Sequence, residues 1–424
     1  MATPLRFITE PARDTPVKAE TEVLVVGGGT AGVAAAVAAA RNGANVILVE
    51  RLGYLGGLAT GGLIALLLTL DDGRGRQVIG GLCQEIVDRL NKRGAAFHPR
   101  KDEWGRADDA MLARDRGWGL VWGGGPHRVR YSVAYDAEEF KFALNSTVEE
   151  TKLKLLMHSY ACDAIVADGR INGVAFQSKS GRFAILAKTV IDATGDGDVF
   201  ASAGARFEKE SVLPWLWFTM GGIDDIDRAI KSGGWFFRTI GEGRALMPWG
   251  ATERISRKID ATDPGDLTYA EMACRARVME QVDRMRAELP GFAHAHVCHI
   301  ADQIGITESR RIVGRHQLGR DEVDKPYNDV IAITGHWTKY EALYYIPYRS
   351  ILASEFPNLL VAGRCISVDH RVHHATKEIP ACFATGEAAG TAAALASRTG
   401  VDAATLDVKS IQDTLERNGA ILHL

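Results

Sequence analysis

The sequence lacks any closely spaced pair of cysteines. Its cysteines stand far apart along the chain, at Cys83, Cys162, Cys274, Cys298, Cys365 and Cys382. Redox-active dithiols and zinc motifs normally separate paired cysteines by about two to four residues. This spacing excludes a disulfide reductase and supplies no metal-ligand motif. We therefore expect reduced thiols and no metal site.

Neither sign of charge is in clear excess. The chain has 50 Lys and Arg against 53 Asp and Glu, which gives a net charge of -3. Proteins that mainly bind nucleic acid or an anionic membrane surface usually carry a marked positive excess. The balance argues against both as main partners.

Long apolar runs are also missing. The longest, around Leu63 to Leu68, is far shorter than the roughly 20 residues that span a bilayer. The first 20 residues are polar and have no apolar core of the kind found in signal peptides. We therefore expect a cytoplasmic protein without a membrane span. With 424 residues, 46% of them hydrophobic, it can form about two or three domains.

Residues 22–50 carry the most informative pattern. An apolar run at Val23 to Val26 leads into a glycine-rich turn and an alanine-rich helix, and a second run at Val46 to Val49 ends on Glu50. This order is that of a dinucleotide-binding βαβ unit. The turn lets the backbone approach a pyrophosphate, the helix start attracts phosphate, and the acid binds ribose hydroxyls. The predicted contacts and packing positions are Gly27, Gly29, Thr30, Ala31, Gly32 and Glu50.

Further elements follow from periodicity and turn residues. We predict helices over 78–94, 137–149 and 269–289, and a meander of short strands between 152 and 191 that leads into Asp192 to Asp198. Residues 95–130 lack clear periodicity and are interpreted as a long loop. Near the end, a strand at Asn358 to Arg364 precedes a polar loop and a helix over 380–398.

Together these motifs resemble the FAD-dependent oxidoreductases of the glutathione-reductase-like superfamily. The chain is most similar to a bacterial FAD-dependent dehydrogenase family that also carries the segments Glu308 to Gly314 and Tyr344 to Ser350. The resemblance implies a Rossmann-like α/β FAD-binding domain, with a parallel sheet plus a β-meander, and an inserted α+β substrate or cap domain. It implies 18–75, 150–208 and 345–424 as the discontinuous FAD-binding domain, with 76–149 and 209–344 as the cap region.

The resemblance also implies FAD as the cofactor and names further contacts. No residue marks a covalent attachment, so we assume non-covalent binding, and the attachment stays open. The segment after the ribose-binding acid would contact the cofactor, Ala161 and Cys162 would lie near the adenine, and the loop after the meander would close over the pyrophosphate or ribityl chain. The late helix would start beneath the flavin, where its N-terminus stabilises negative charge on the ring. These further cofactor-binding candidates are Arg51, Gly57, Leu58, Ala59, Thr60, Ala161, Cys162, Ala193, Thr194, Gly195, Asp198, Gly363, Arg364, Ile379 and Ala381.

The polar loop between Arg364 and Pro380 holds the catalytic candidates. Oxidation of a substrate requires a group that accepts its proton, and histidine does so near neutral pH. We rank His374 first, then His373, then His370. Lys377 stands where relatives usually carry arginine, so it can stabilise an anion but lacks the planar fork that binds a carboxylate in bidentate fashion.

Two groups of residues allow alternatives. Arg310 and Arg311 either clamp a substrate carboxylate or belong to a buried ion-pair network. The tryptophan-rich middle segment either fills a core or forms an aromatic wall for an aromatic ring, a sugar face or a cation. The aromatic residues of that segment also allow a homo-oligomer.

We expect an FAD-dependent oxidoreductase, a dehydrogenase or oxidase that transfers a hydride from a small organic substrate to flavin N5. One alternative is a flavin monooxygenase, although Gly363-Arg364 replaces the motif usual in that class. The other is a non-catalytic FAD-binding redox sensor. Substrate, direction and electron acceptor stay open.

Overall fold

The computed structural model of the protein describes residues 8–248, 255 and 257–424. Its helices are α1 (Thr30–Arg41), α2 (Gly81–Lys92), α3 (Asp109–Gly117), α4 (Ala137–Glu149), α5 (Asp198–Ser202), α6 (Ile226–Lys231), α7 (Pro264–Glu288), α8 (His370–Thr376), α9 (Ile379–Thr399) and α10 (Val408–Arg417). Trp249, part of the tryptophan-rich segment in the sequence, lies outside the described residues.

The strands belong to several sheets. They are β1 (Val17–Val26), β2 (Val46–Val49), β3 (Leu66–Leu67), β4 (Ala96–Phe97), β5 (Val133–Tyr135), β6 (Lys154–Leu156), β7 (Tyr160–Ala167), β8 (Arg170–Ser178), β9 (Gly181–Asp192), β10 (Phe207–Lys209), β11 (Phe218–Gly221), β12 (Phe237–Arg238), β13 (Ala245–Met247), β14 (His296–Ile300), β15 (Arg310–Ile312), β16 (Val330–His336), β17 (Lys339–Pro347) and β18 (Leu359–Val361).

The largest sheet among the described residues has seven strands in the order β6-β2-β1-β9-β8-β7, with β18 also paired to β9. The pairs among β6, β2, β1, β9 and β18 are parallel. The pairs β7-β8 and β8-β9 are antiparallel and form the meander. The predicted fold class is therefore confirmed: a Rossmann-like parallel sheet continues into a β-meander. The last strand of the meander, β9, runs unbroken to Asp192 and pairs with both parts of the sheet.

Helices α1 and α9 pack against each other beside the parallel sheet. Their backbones approach closely because α9 has glycine where it crosses α1. A Cβ at Gly386 would lie 2.1 Å from the carbonyl oxygen of Ala31, and one at Gly390 would lie 2.0 Å from that of Ala35. The small residues of the late helix therefore fix the position of α1, which begins at the glycine-rich turn.

A second hydrophobic core lies beneath the tryptophan-rich segment. Strands β11 to β14 form a four-stranded antiparallel sheet, and α7 packs its buried face, including Cys274 and Val278, into the same cluster. This core also takes in Leu63, Leu66 and Leu68 from the segment after β2. An α+β region thus accompanies the large sheet, as expected.

Two local expectations are corrected. The polar loop after Arg364 contains helix α8, because the Asp369 carboxylate accepts hydrogen bonds from the N–H groups of Arg371 and Val372 and starts a helix there. Residues 95–130 include α3, which Asp108 caps in the same way. Helices α2 and α4 lie in segment 76–149, which the sequence analysis places in the cap region, and they pack residues into the core of the large sheet. The domain division itself stays a prediction.

Among the described helices, none combines the length and the apolar character that crossing a membrane requires.

Candidate functional site

A cavity of about 680 Å³ lies between the large sheet and the tryptophan-rich region. One end is lined by the β1–α1 turn, Glu50 and the loop that follows β9, and the other by Trp122, Trp215, Trp217 and Trp337. The start of α9 lines the same cavity. Segments that are distant in the sequence therefore line one cavity.

The glycine-rich turn is shaped by two different constraints. Gly27 has φ +103°, and a Cβ there would lie 2.4 Å from the carbonyl oxygen of Ala193. At Gly29, in contrast, a Cβ would meet no protein atom within 4 Å, and φ is -66°. Gly27 is thus required by the fold, whereas the open space beside Gly29 belongs to the cavity.

Two helix N-termini are directed to this cavity. Helix α1 begins after Gly29, and no side chain caps it; Thr30 and Ala31 line the cavity. Helix α9 begins at Ile379, which also lines the cavity, and again no side chain caps the helix. Uncapped helix starts present N–H groups and a positive dipole end, which bind anions. The geometry provides two such places for one ligand.

Glu50 is buried at the end of β2 and lines the cavity. Its carboxylate accepts hydrogen bonds from the N–H of Gly28 at 2.5 Å and the N–H of Leu52 at 2.7 Å. These bonds fix the side chain at the mouth of the turn. Each carboxylate oxygen has further lone pairs, so the group can still accept hydroxyl hydrogen bonds.

The loop after β9 is organised by three aspartates. Asp192 is fully buried and accepts hydrogen bonds from the N–H groups of Val199 and Phe200, so it holds the start of α5. Burial would raise the pKa of Asp196, but Arg364 at 2.7 Å and a hydrogen bond from Ser309 hold it below the ordinary value. Asp196 therefore anchors Arg364, a cavity-lining residue.

Asp198 lies at the start of α5 and lines the cavity. Arg310 donates to it at 2.7 Å and also to the carbonyl oxygen of Asp196. Burial, together with the charges of Asp196 and Asp192, raises the pKa of Asp198 to about 6.

The two arginines that the sequence left open have different surroundings. Arg310 reaches the cavity, whereas Arg311 is almost fully buried. Arg311 Nε donates to Glu308 at 2.6 Å, and its guanidinium also bonds to Glu208 and to the carbonyl oxygen of Val368. Arg311 is thus the centre of a buried ion-pair network.

Of the four catalytic candidates, Lys377 lines the cavity. It follows α8, and its Nζ lies 2.8 Å from Glu378 Oε1 and 5.7 Å from the ring centroid of Trp337. The side chains of Lys377 and Glu378 are 14% and 12% exposed. A lysine–carboxylate pair therefore stands between the α9 start and Trp337.

The three histidines lie on α8 and are absent from the lining of the cavity. His373 is buried; its Nε2 bonds to the carbonyl oxygen of Arg364 at 2.8 Å, and burial lowers its pKa well below the ordinary value. His370 Nδ1 lies 2.8 Å from Glu308. His374 is exposed at its outer face, and partial burial together with Lys377 lowers its pKa to about 4. A direct catalytic role for any of them stays a prediction.

Most predicted cofactor residues meet in the cavity. Those that line it are Gly27, Gly29, Thr30, Ala31, Glu50, Arg51, Gly57, Leu58, Ala59, Ala193, Thr194, Gly195, Asp198, Gly363, Arg364 and Ile379. Those that do not are Gly32, Thr60, Ala161, Cys162 and Ala381. Gly32 packs instead against the carbonyl oxygen of Gly27, the hydroxyl of Thr60 bonds to the carbonyl oxygen of Leu55, and Ala381 is fully buried in the core. Tyr160 lines the cavity in place of its neighbours Ala161 and Cys162.

Sequence reasoning missed some lining residues. Trp122 comes from the long segment after α3 that had no periodicity to interpret, and Glu378 was noted only as part of the polar loop. The charge pairing of Asp196 with Arg364 joins residues that are 168 positions apart. No local pattern indicates such a pair.

Comparisons with known proteins agree with this geometry. A sequence model of the family described as FAD dependent oxidoreductase matches residues 22–231 and 222–415. No curated protein sequence matches the chain.

Several solved structures share the fold. A geranylgeranyl bacteriochlorophyll reductase-like protein from Thermoplasma acidophilum is 17% identical, with a TM-score of 0.51 over 94% of this chain and 83% of its own. A p-nitrophenol 4-monooxygenase from Pseudomonas putida is 12% identical, with a TM-score of 0.52 over 94% of this chain and 84% of its own. The flavin-dependent brominase Bmp2 is 12% identical, with a TM-score of 0.50 over 93% and 83%. At these identities the likeness concerns the fold alone.

Proposed function

Because the chain belongs to the family of FAD-dependent oxidoreductases, we propose that it oxidises a small organic substrate held in the tryptophan-lined end of the cavity. The observation that supports this most directly is the continuity of one cavity from the β1–α1 turn to Lys377 and the tryptophans. A redox enzyme needs its cofactor and its substrate in contact within a space that excludes water.

FAD is the cofactor of this family, and the residues present fit it. The open space beside Gly29 and the uncapped start of α1 suit a pyrophosphate, and Glu50 suits an adenosine ribose. The uncapped start of α9 suits the ring edge that becomes negative on reduction. When bound, FAD supplies the acceptor for two electrons, received as a hydride at flavin N5.

We assign the proton chemistry of the proposed reaction to the pair Lys377–Glu378. Both side chains line the cavity, and the ammonium holds the carboxylate at 2.8 Å. Glu378 can accept a proton from a substrate hydroxyl or amine, while Lys377 stabilises the negative charge that forms beside it. Glu378 immediately precedes α9, so its carboxylate stands beside the helix start that the ligand would face.

In this proposal the histidines of α8 position the site. His373 donates to the carbonyl oxygen of Arg364 and faces Glu308, whose carboxylate lies 3.5 Å from its Nδ1. Arg364 in turn is paired with Asp196. This chain of contacts sets where α8 ends, and therefore where Lys377 stands.

The test begins with the absorption spectrum of the purified protein before and after acid precipitation. Flavin bands that move to the supernatant indicate bound, non-covalent FAD. Alcohols, amines and sugars are then mixed with the protein without oxygen, and loss of the flavin band identifies a substrate. If flavin is bound but only NAD(P)H reduces it, the monooxygenase alternative is favoured; if nothing reduces it, the redox-sensor alternative is favoured.

Variants then test the assigned pair. We expect Glu378→Gln to slow flavin reduction by substrate about 100-fold or more, because it removes the proton acceptor. The matched control is Asp413→Asn, which removes the acid from another Lys–carboxylate pair, Lys409–Asp413, on an exposed surface. An unchanged rate in Glu378→Gln, with flavin still bound, would show that another group accepts the proton.

A further inference from the structure

The tryptophans at the substrate end of the cavity form two pairs. Trp122 and Trp337 have ring centroids 5.3 Å apart and ring planes inclined by 71°. Trp215 and Trp217 have centroids 5.5 Å apart and planes inclined by 46°. All four line the cavity. We call this set the tryptophan wall.

Backbone contacts hold part of the wall in place. The N–H of Trp215 donates to the carbonyl oxygen of Gly305 at 3.1 Å, and the N–H of Gly305 donates back at 2.7 Å. A Cβ on Gly305 would lie 2.2 Å from the Trp215 ring, so the ring packs directly on the backbone. Trp217 is followed at once by β11, within the second core. These rings present fixed faces, so a ligand that contacts them meets a preorganised surface.

Aliphatic side chains join the tryptophans in the lining of the cavity. Leu66, Leu68, Ile304 and Ile306 are buried and line it. These side chains and the four rings form apolar surface, on which a flat hydrocarbon ring can bury both faces without leaving a polar group unpaired. A carbohydrate would have to direct its hydroxyls away from this surface, toward polar lining residues such as Asp302 and Gln303.

A cationic substrate is disfavoured for a separate reason. Lys377 Nζ already lies 5.7 Å from the Trp337 ring centroid, at the distance of a cation–π contact. A second cation beside that ring would be repelled by the ammonium. The carboxylate of Glu378, which also lines the cavity, is bonded to the same lysine.

We infer that the tryptophan wall selects a planar aromatic substrate, which packs its ring against Trp122 and Trp337 with the reacting carbon directed toward the Lys377–Glu378 pair. This inference rests on the proposed function and adds the substrate class. Edge-to-face and offset stacking stabilise aromatic pairs beyond the burial of area, and saturated rings of similar size lack this contribution.

The test uses FAD-loaded protein and three probes that share a primary alcohol: 2-naphthalenemethanol, benzyl alcohol and cyclohexylmethanol. Binding is measured from the change in the flavin spectrum on titration without oxygen. We expect benzyl alcohol to bind about fivefold more tightly than cyclohexylmethanol, and the naphthyl probe more tightly still. Equal affinity for benzyl alcohol and cyclohexylmethanol would overturn the inference.

Variants show which side chains cause the preference for aromatic probes. Trp337→Leu and Trp122→Leu should each weaken naphthyl binding about fivefold and change cyclohexylmethanol binding much less, whereas Trp337→Phe should keep the preference. Trp235→Leu is the matched control, since Trp235 is 51% exposed and lies outside the cavity lining. Leucine variants that keep the full preference for the aromatic probes would overturn the inference. A protein that binds no FAD would instead overturn the proposed function, so the two failures are distinguishable.

Discussion

At the scale of single residues, two glycines of the β1–α1 turn are required by the fold, whereas a third leaves open space for a ligand. Gly27 is fixed by its positive φ and by Ala193, and Gly32 by its contact with the carbonyl oxygen of Gly27, so substitution at either position would disturb the backbone. Gly29 has ordinary φ and open space on its Cα. Of the three, Gly29 is therefore the position where a substitution tests cofactor binding without disturbing the fold.

We predict that Gly29→Val folds like the wild type but binds FAD at least about tenfold more weakly, because the new side chain fills space that the pyrophosphate needs. Thermal unfolding of the apoprotein and titration with FAD measure the two properties separately. Gly124→Val is the matched control: a Cβ at Gly124 also meets no atom within 4 Å, and Gly124 does not line the cavity. Undiminished FAD affinity in Gly29→Val would contradict the role of this turn in phosphate binding.

At the scale of secondary-structure elements, the late helix α9 also makes a polar contact with α2. Glu387 on α9 is buried, and its carboxylate accepts a hydrogen bond from the N–H of Leu82 at 3.0 Å, at the start of α2. Burial raises the pKa of Glu387 to about 7, against an ordinary value of 4.5. The charges of Arg41 and Glu85 act on it in opposite directions. A titratable contact thus joins two helices of the first core.

The sign of its effect on stability follows from the direction of the shift. Between about pH 4.5 and 7 the folded protein retains a proton on Glu387 that the unfolded chain has lost, so stability falls as pH rises through this range. We predict that Glu387→Gln, which resembles the protonated form, leaves stability near pH 4.5 unchanged and raises it at pH 8 by up to about 3 kcal/mol. Denaturant unfolding at both pH values measures the difference. An equal effect of the substitution at both values would show that Glu387 does not titrate in this range.

The elements that the sequence predicted best are those with a strong period or a fixed motif. Local patterns correctly indicated the strands at 23–26 and 46–49, the helix at 137–149 and the late helix α9. Tertiary packing did not override these patterns. Helix α8 was missed because its seven residues carry no apolar period, and its start depends on one capping side chain, Asp369. Missing it changed the site: histidines expected on a loop beside the flavin lie on a helix, outside the cavity lining.

At the scale of the whole molecule, the cavity is bounded by both hydrophobic cores. The β1–α1 turn and the α9 start belong to the first core, whereas Trp215, Trp217 and Ile304 belong to the second. Sequence motifs predict the part of the cavity that the first core contributes, because nucleotide binding imposes residue types at fixed spacing. The part beside the second core is formed by tertiary packing of Trp122, Trp337 and the segment before β11. No spacing along the chain indicates that these residues come together.

This arrangement predicts how cofactor binding spreads through the protein. FAD should slow amide hydrogen exchange in the turn at 27–31 and also in the lining segments 261–267 and 302–307, since these belong to opposite sides of one cavity. AMP, which has only the adenosine phosphate part of FAD, should protect the turn alone, because only the larger cofactor extends to the segments 261–267 and 302–307. Gly29→Val, incubated with FAD at a concentration near the wild-type Kd, serves as the control and should show much weaker protection in all of these segments. Protection of 302–307 by AMP at the level given by FAD would contradict this prediction. It would mean that filling the nucleotide end of the cavity is enough to order residues 302–307, so that both cores respond to any ligand of the β1–α1 turn.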